Sequence, residues 1–243
     1  MSQDLILEAE GVCKHFGRLQ VLHGMDLHLH RGQALGVVGP NGAGKTTLFG
    51  VLAGTLPPSS GSVRFDGQNV DAWDAARRCR AGIARTHQVP RPFLGLSVHE
   101  NTLVAAQHGA GLRGDEAERA VQESLLRCGL AQLSQRTAAS LGLMDRKRLE
   151  LARALATKPR VLLLDEIGGG LTEAELIALS ALVATLRDEG LTVVWIEHVL
   201  HALLKVVDRL VCMDAGMVLA QGDPQTVMND PRVVEAYLGG VPA

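Results

Sequence analysis

The residues with the clearest chemistry run from Gly39 to Thr47: Gly39, Pro40, Asn41, Gly42, Ala43, Gly44, Lys45, Thr46 and Thr47. They fit the pattern G-x-x-x-x-G-K-[ST] of a P-loop. Glycines in such a loop let the backbone wrap around phosphate oxygens, and the N–H groups at the start of the following helix face the anion. Lys45 is expected to pair with the β- and γ-phosphates, and the Thr46 hydroxyl to ligate Mg2+. The pattern therefore predicts binding of ATP with Mg2+.

A carboxylate is needed to help hold the metal and to polarise water. The apolar run VLLL ends on Asp165 and Glu166. Asp165 is expected to hold Mg2+ through water, and Glu166 to act as general base. Such a pair by itself reads equally as a solvated strand end; the P-loop in the same chain gives it a partner.

These groups need a strand feeding the glycine loop and a helix leaving it. ALGVVG runs straight into the loop, and KTTLFGVLAG has no breaker before Gly54 and Pro57-Pro58, which predicts a short helix on the phosphate site. Upstream, LILEAE and MDLHLH read as strands, and SGSVRFDGQNV as a hairpin. From about 88 to 157 the spacing becomes helical in SVHENTLVAAQHG, DEAERAVQESLLRCGL and DRKRLELARALA, with GAGLRG as a flexible turn. Strand and helix then alternate: RVLLLDE, a helix capped by Thr172 with Glu175 three residues on, LTVVWIEH, and the hairpin RLVCMDAGMVLAQG. This order predicts a mostly parallel α/β core.

The 243 residues are 47% hydrophobic and 21% charged, which suits a folded globular chain. A net charge of −2 offers no broad basic field, so no nucleic-acid partner is expected. The start MSQDLILEAE has no basic and apolar leader pattern, and the runs VLLL and LTVVWI fall short of a bilayer span; the chain is expected to be neither secreted nor membrane-spanning. Cys13, Cys79, Cys128 and Cys212 form no CxxC pair and read as reduced, buried thiols. Eight of the nine histidines show no ligand-like grouping with Cys or Asp.

With these motifs in this order, the chain resembles an ABC-type ATPase subunit over nearly all of residues 5 to 240. The resemblance implies a P-loop NTPase (RecA-like) core, residues 1–87 and 158–243, with an N-terminal antiparallel β subdomain and an inserted helical subdomain at 88–157. It implies that Phe16 in CKHFG stacks on adenine, although the residue alone can also be read as a core Phe. Gln88 in GIARTHQ would contact Mg2+ and the attacking water, and His198 in WIEH would contact the γ-phosphate.

The family's LSGGQ signature is altered. The downstream RKRLELARALATKP aligns Gly142 with the serine and Met144 with the second glycine, so the hydroxyl that clasps ATP on a partner subunit is missing. The helix N-terminus, with its free N–H groups and partial positive charge, remains. After Glu166 the family commonly has a proline and then a loop ending in aspartate, whereas this chain has Ile167-Gly168-Gly169-Gly170-Leu171-Thr172.

Taken together, GIARTHQ, RKRLELARALATKP, WIEH and RVVEAYLG look most like the ATPase subunit of branched-chain amino-acid importers. That resemblance implies a second ATPase subunit (a heterodimer being favoured by the altered signature), two membrane permeases and an extracytoplasmic binding protein. The chain would then lie peripherally on the cytoplasmic face of the inner membrane. A lipopolysaccharide-export ATPase is an alternative, though it normally keeps the serine-glycine signature. A soluble ABC ATPase acting on DNA or the ribosome is another, though it usually carries two cassettes, coiled coils or zinc modules. Residues 88–104, QVPRPFLGLSVHENTLV, read either as a coupling surface or as a buried loop against the helical lobe.

Overall fold

The computed structural model describes residues 5–238. In chain order these form β1 (Leu5–Phe16), β2 (Leu19–His30), β3 (Ala34–Val38), α1 (Lys45–Ala53), β4 (Ser60–Phe65), β5 (Gln68–Asn69), α2 (Ala75–Ala81) and β6 (Ile83–Arg85). There follow α3 (Val98–Gly109), α4 (Gly114–Arg127), α5 (Leu143–Ala156), β7 (Val161–Asp165), α6 (Glu173–Asp188) and β8 (Thr192–Ile196). The described chain ends with α7 (Leu200–Leu203), β9 (Arg209–Asp214), β10 (Met217–Gly222), α8 (Pro224–Met228) and α9 (Pro231–Leu238).

Two sheets result. A four-stranded antiparallel sheet has the order β2-β1-β4-β5, and a six-stranded sheet the order β10-β9-β3-β8-β7-β6. In the second, β9, β3, β8, β7 and β6 run parallel and only β10 is antiparallel. The apolar runs explain this: β3, β7 and β8 are buried at every residue, as strands covered on both faces must be. Alternate residues serve opposite layers. Leu163, Val194 and Ile196 join α1 and the antiparallel sheet in one core, while Leu162, Leu164, Val193 and Trp195 join α6 and the helical lobe in the other.

The first two strands extend beyond the segments 5–10 and 25–30 expected from alternation. Gly11 and Gly24, at φ 57° and 71°, absorb irregularities in the β1–β2 register, so pairing resumes as far as Phe16 and Leu19. Helix α2 is a further difference. Its seven residues are too few to show a period, and its start is fixed by the Asp74 side chain, which accepts from the Arg77 N–H at 2.8 Å. Arg78 in its middle is fully buried, and its guanidinium donates to the carbonyls of Val51 (2.6 Å), Leu52 (2.9 Å) and Val70 (2.8 Å).

Helices α3, α4 and α5 pack on one another, α3 starting in a Ser97/Glu100 capping box. The segment GAGLRG forms the turn between α3 and α4. The expected Thr172/Glu175 capping box opens α6.

Candidate nucleotide site

The P-loop leaves the end of β3 and turns into α1 through three glycines at positive φ: Gly39 (145°), Gly42 (84°) and Gly44 (94°). Gly39 has a second reason to be glycine. A Cβ there would lie 2.1 Å from the Met213 carbonyl oxygen of β9. Lys45 is buried, and its Nζ donates to the carbonyls of Gly39 (2.8 Å) and Pro40 (3.0 Å), spanning the loop. Burial pushes its pKa down, while Glu166, Cys212 and Asp165 pull it back up. Around this loop lies a cleft of about 210 Å3, lined by Val21, the residues from Asn41 to Thr47, and Glu166.

Strand order brings the remaining chemistry to the same edge. Since β3, β8, β7 and β6 are neighbours, their carboxyl ends present the P-loop, His198, Glu166 and Gln88 in succession, where open α/β sheets bind ligands. The Glu166 carboxylate is held from both sides: Gln88 Nε2 donates to Oε2, and His198 Nε2 lies 2.8 Å from Oε1. The Glu166 N–H donates to the Ile196 carbonyl at 2.9 Å, and the residue sits at φ 46°, a conformation that costs a non-glycine residue energy. Gln88, Glu166 and His198 thus form one cluster, with Glu166 facing the P-loop cleft.

Asp165 is buried at the end of β7, and its Oδ2 accepts from Arg85 Nη2 at 2.6 Å. Arg85 is a participant that sequence reasoning passed over. It lies inside GIARTHQ, but nothing in its spacing reports that β6 runs beside β7. Thr46 is exposed on the first turn of α1 and Thr47 is half-buried beside it, both at the cleft. An Mg2+ ion fits this donor set. The Thr46 hydroxyl, the remaining Asp165 oxygen and the Gln88 carbonyl oxygen are hard ligands, and Gln88 uses its amide nitrogen, not that oxygen, to hold Glu166.

Phe16 is 47% exposed at the end of β1, with Lys14 Nζ 5.3 Å from its ring centroid, so it is not a core residue. Gly142 and Met144 are not brought to this chain's own cleft. Gly142 is the N-cap of α5 without a side-chain cap, at φ −68° and ψ 173°, and no atom lies within 4 Å of where its Cβ would be. Leu143 is exposed, and Met144 packs onto the helical core. Tyr237 of α9 lies beside Gly39 at the root of the P-loop. Burial pushes its hydroxyl up to about 12 and Cys212 adds to the effect, while the Gly39 backbone pulls the other way.

The loop after Gln88 is not buried. Val89, Phe93 and Leu94 are exposed, and Arg153 of α5 steadies the loop by donating to the Arg91 carbonyl at 2.8 Å and covering the Phe93 ring. It borders a groove of about 410 Å3 between α2, α3 and α5. Among the thiols, Cys128 and Cys212 are buried, and burial raises them to about 12 and about 11; Cys13 and Cys79 are only half-buried. His28 has carboxylate neighbours that linear reading did not group: it pairs across the strands with Glu8, and Glu8, Glu10 and His28 place ligand atoms within 4.8 Å of one another.

A family model described as ABC transporter matches residues 22–168, more than half of the chain. The chain belongs to the ABC transporter family. A second model, for the branched-chain amino acid ATP-binding cassette transporter, matches residues 217–243 of this ATPase. The ATPase is 36% identical to the high-affinity branched-chain amino acid transport ATP-binding protein BraF of Pseudomonas aeruginosa, over 96% of its own length and 98% of that protein. It is 35% identical to LivG of Escherichia coli, which carries the same description, over 98% and 99% of the two chains. A solved ATP-binding cassette of an ABC transporter in its ADP conformation superposes with a TM-score of 0.88 at 30% identity, covering 97% of the ATPase and 99% of that chain. The fold is that of a P-loop NTPase, and its activity is ATP hydrolysis. Among the described residues, no helix of the ATPase is long and apolar enough to cross a membrane.

Proposed function

We propose that this ATPase powers uptake of branched-chain or related amino acids through separate permeases, with Glu166 as the general base of its hydrolytic step. The observation that carries the catalytic part is the Gln88–Glu166–His198 cluster at the edge of the P-loop cleft. Glu166 takes a proton from water as the water attacks the γ-phosphate. Gln88 and His198 fix the orientation of its carboxylate, and His198 is also placed to meet the phosphoryl oxygens. Lys45 and the N–H groups of the P-loop meet the negative charge that develops there. Mg2+ bound by Thr46, Asp165 and Gln88 would neutralise phosphate charge. Phe16 offers its exposed face to the adenine ring.

The transport reading rests on the relatives, whose names describe branched-chain amino-acid transport, and on the match of the tail to the corresponding family model. Two permeases and an extracytoplasmic binding protein complete such a system, with this chain peripheral on the cytoplasmic face of the inner membrane. The groove bordered by Phe93, α2 and α3 is the surface offered to a permease. A second ATPase subunit docks its ATP against the open N-terminus of α5 at Gly142 and Met144. A partner that differs from this chain is favoured, because Gly142 contributes no hydroxyl.

The test is Glu166→Gln. Loss of a general base lowers turnover by about 10² or more, while ATP binding measured with a fluorescent nucleotide remains and the closed, ATP-loaded dimer accumulates. Turnover near the wild-type rate in that variant would remove Glu166 from the mechanism.

A further inference from the structure

Glu197 lies between the loops that carry Glu166 and His198. It is 2% exposed, directly before His198 and at the end of the fully buried β8. A carboxylate buried this deeply is costly unless hydrogen bonds and an opposite charge compensate it. Both are present. Its Oε2 accepts from the Gly168 N–H at 2.9 Å, and its Oε1 accepts from the His198 N–H at 3.0 Å. One carboxylate therefore bridges the backbone of the loop that follows Glu166 and the backbone of His198. The fit is close on the Gly168 side, where a Cβ would lie 2.8 Å from Glu197 Oε2 and 2.7 Å from Leu176 Cδ1.

The opposite charge comes from the helical lobe. Lys147, on the second turn of α5, is 5% exposed; burial lowers its pKa, and the Glu197 carboxylate is the charge that raises it again. The first turn of α5 touches the same loop by packing alone, since a Cβ on Gly170 would lie 3.1 Å from Leu143 Cδ2. The packing of Leu143 thus seats the start of α5 against Gly170, with the buried Lys147 charge facing the field of Glu197 one turn further on.

We propose that Glu197 is a positioning residue that locks the loops carrying Glu166 and His198 to each other and, through Lys147, to the N-terminal turns of α5. The carboxylate holds two backbone N–H groups, so it sets where Glu166 and His198 stand without touching ATP. Its charge gives the signature helix a preferred seat against that pair of loops. The end of α5 that is offered to a partner subunit is consequently registered against the chain's own hydrolytic cluster. This rests on the assignment of Glu166 and His198 above, which the Glu166→Gln experiment tests separately.

The experiment compares the full-length chain with Glu197→Gln, Lys147→Met, Lys147→Arg and the double variant Glu197→Gln/Lys147→Met. Steady-state ATP hydrolysis, affinity for a fluorescent ATP analogue, and the thermal midpoint are measured for each. Misplaced reacting groups cost turnover more than ground-state binding, so Glu197→Gln should lose about tenfold or more in kcat, with KM and nucleotide affinity within about threefold of wild type. Lys147→Met should lose kcat in the same way, and Lys147→Arg, which keeps the charge, should recover most of that loss. Because both residues act through one link, the double variant should be no slower than the slower single variant.

The proposal is overturned if Glu197→Gln keeps kcat within about twofold of wild type, or if the two losses multiply as independent effects would. It is also overturned if kcat and nucleotide affinity fall and KM rises together with a lower melting temperature, as a purely structural role would require. Should Glu197→Gln not fold, the Lys147→Met and Lys147→Arg pair decides alone: equal turnover in the two overturns the proposal.

Discussion

At the scale of single residues, the P-loop shows glycines that are required and the signature helix shows one that is not. Gly39 is enforced by the Met213 carbonyl behind it, whereas Gly142 has ordinary extended dihedral angles and open space around its Cα. Serine fits there without strain. Glycine and serine differ by only a few tenths of a kcal/mol as N-caps, so Gly142→Ser should leave the melting temperature almost unchanged. In the assembled complex the added hydroxyl should raise the rate or the ATP sensitivity of hydrolysis, since it restores a donor to the partner's γ-phosphate. An unchanged rate and ATP dependence would show that the missing hydroxyl does not limit hydrolysis at the partner's site. The residues that could be read in the linear sequence were those fixed by local spacing: Lys45, Thr46, Asp165 and Glu166. Arg85, Lys147 and Glu197 could not be read in this way, because their roles depend on which strands and helices become neighbours, and a charged residue inside a short motif carries no record of its partner.

At the scale of elements, long periodic segments were legible and short or interrupted ones were not. Apolar runs announced β3, β7 and β8, and capping chemistry announced α6. In contrast, the continuation of β1 and β2 through Gly11 and Gly24 depended on pairing with a neighbour, and α2 was too short to show a period. The tail helix α9 gives a test at this scale. The Asp230 carboxyl is held at about 2 by the Arg232 side chain and backbone, and Asp230 precedes the first turn of α9. Its folded pKa lies below the ordinary 3.8, so its contribution is complete above pH 3.8 and disappears as the pH falls towards 2. Over that window α9 should loosen. Tyr237, the chain's one tyrosine, reports on it through its ring resonances. Asp230→Asn should remove this part of the pH dependence; an identical acid profile in the variant would show that Asp230 does not anchor the helix.

At the scale of the whole molecule, the sheets and helices are joined by a few buried polar residues as well as by apolar cores. Arg78 fastens α1, the helix that bears the P-loop lysine, to the segment leaving the antiparallel sheet. Replacing it with methionine would remove three charge-assisted bonds, leaving Leu52 without this donor while Val51 and Val70 keep the Gly54 and Trp73 N–H groups, so Arg78→Met should cost about 3 kcal/mol or more in a denaturant titration. A loss below about 1 kcal/mol would mean that water takes over these bonds. The left-handed backbone of Glu166 works in the opposite direction. Glycine accepts that conformation freely and alanine does not, a difference of about 1 kcal/mol, equivalent to roughly 2–4 °C in a chain of this size. Glu166→Gly should therefore melt above Glu166→Ala by that margin. The protein is built to be somewhat less durable in heat than an inert relative of itself, and its melting curve becomes a measure of what turnover demands of the fold.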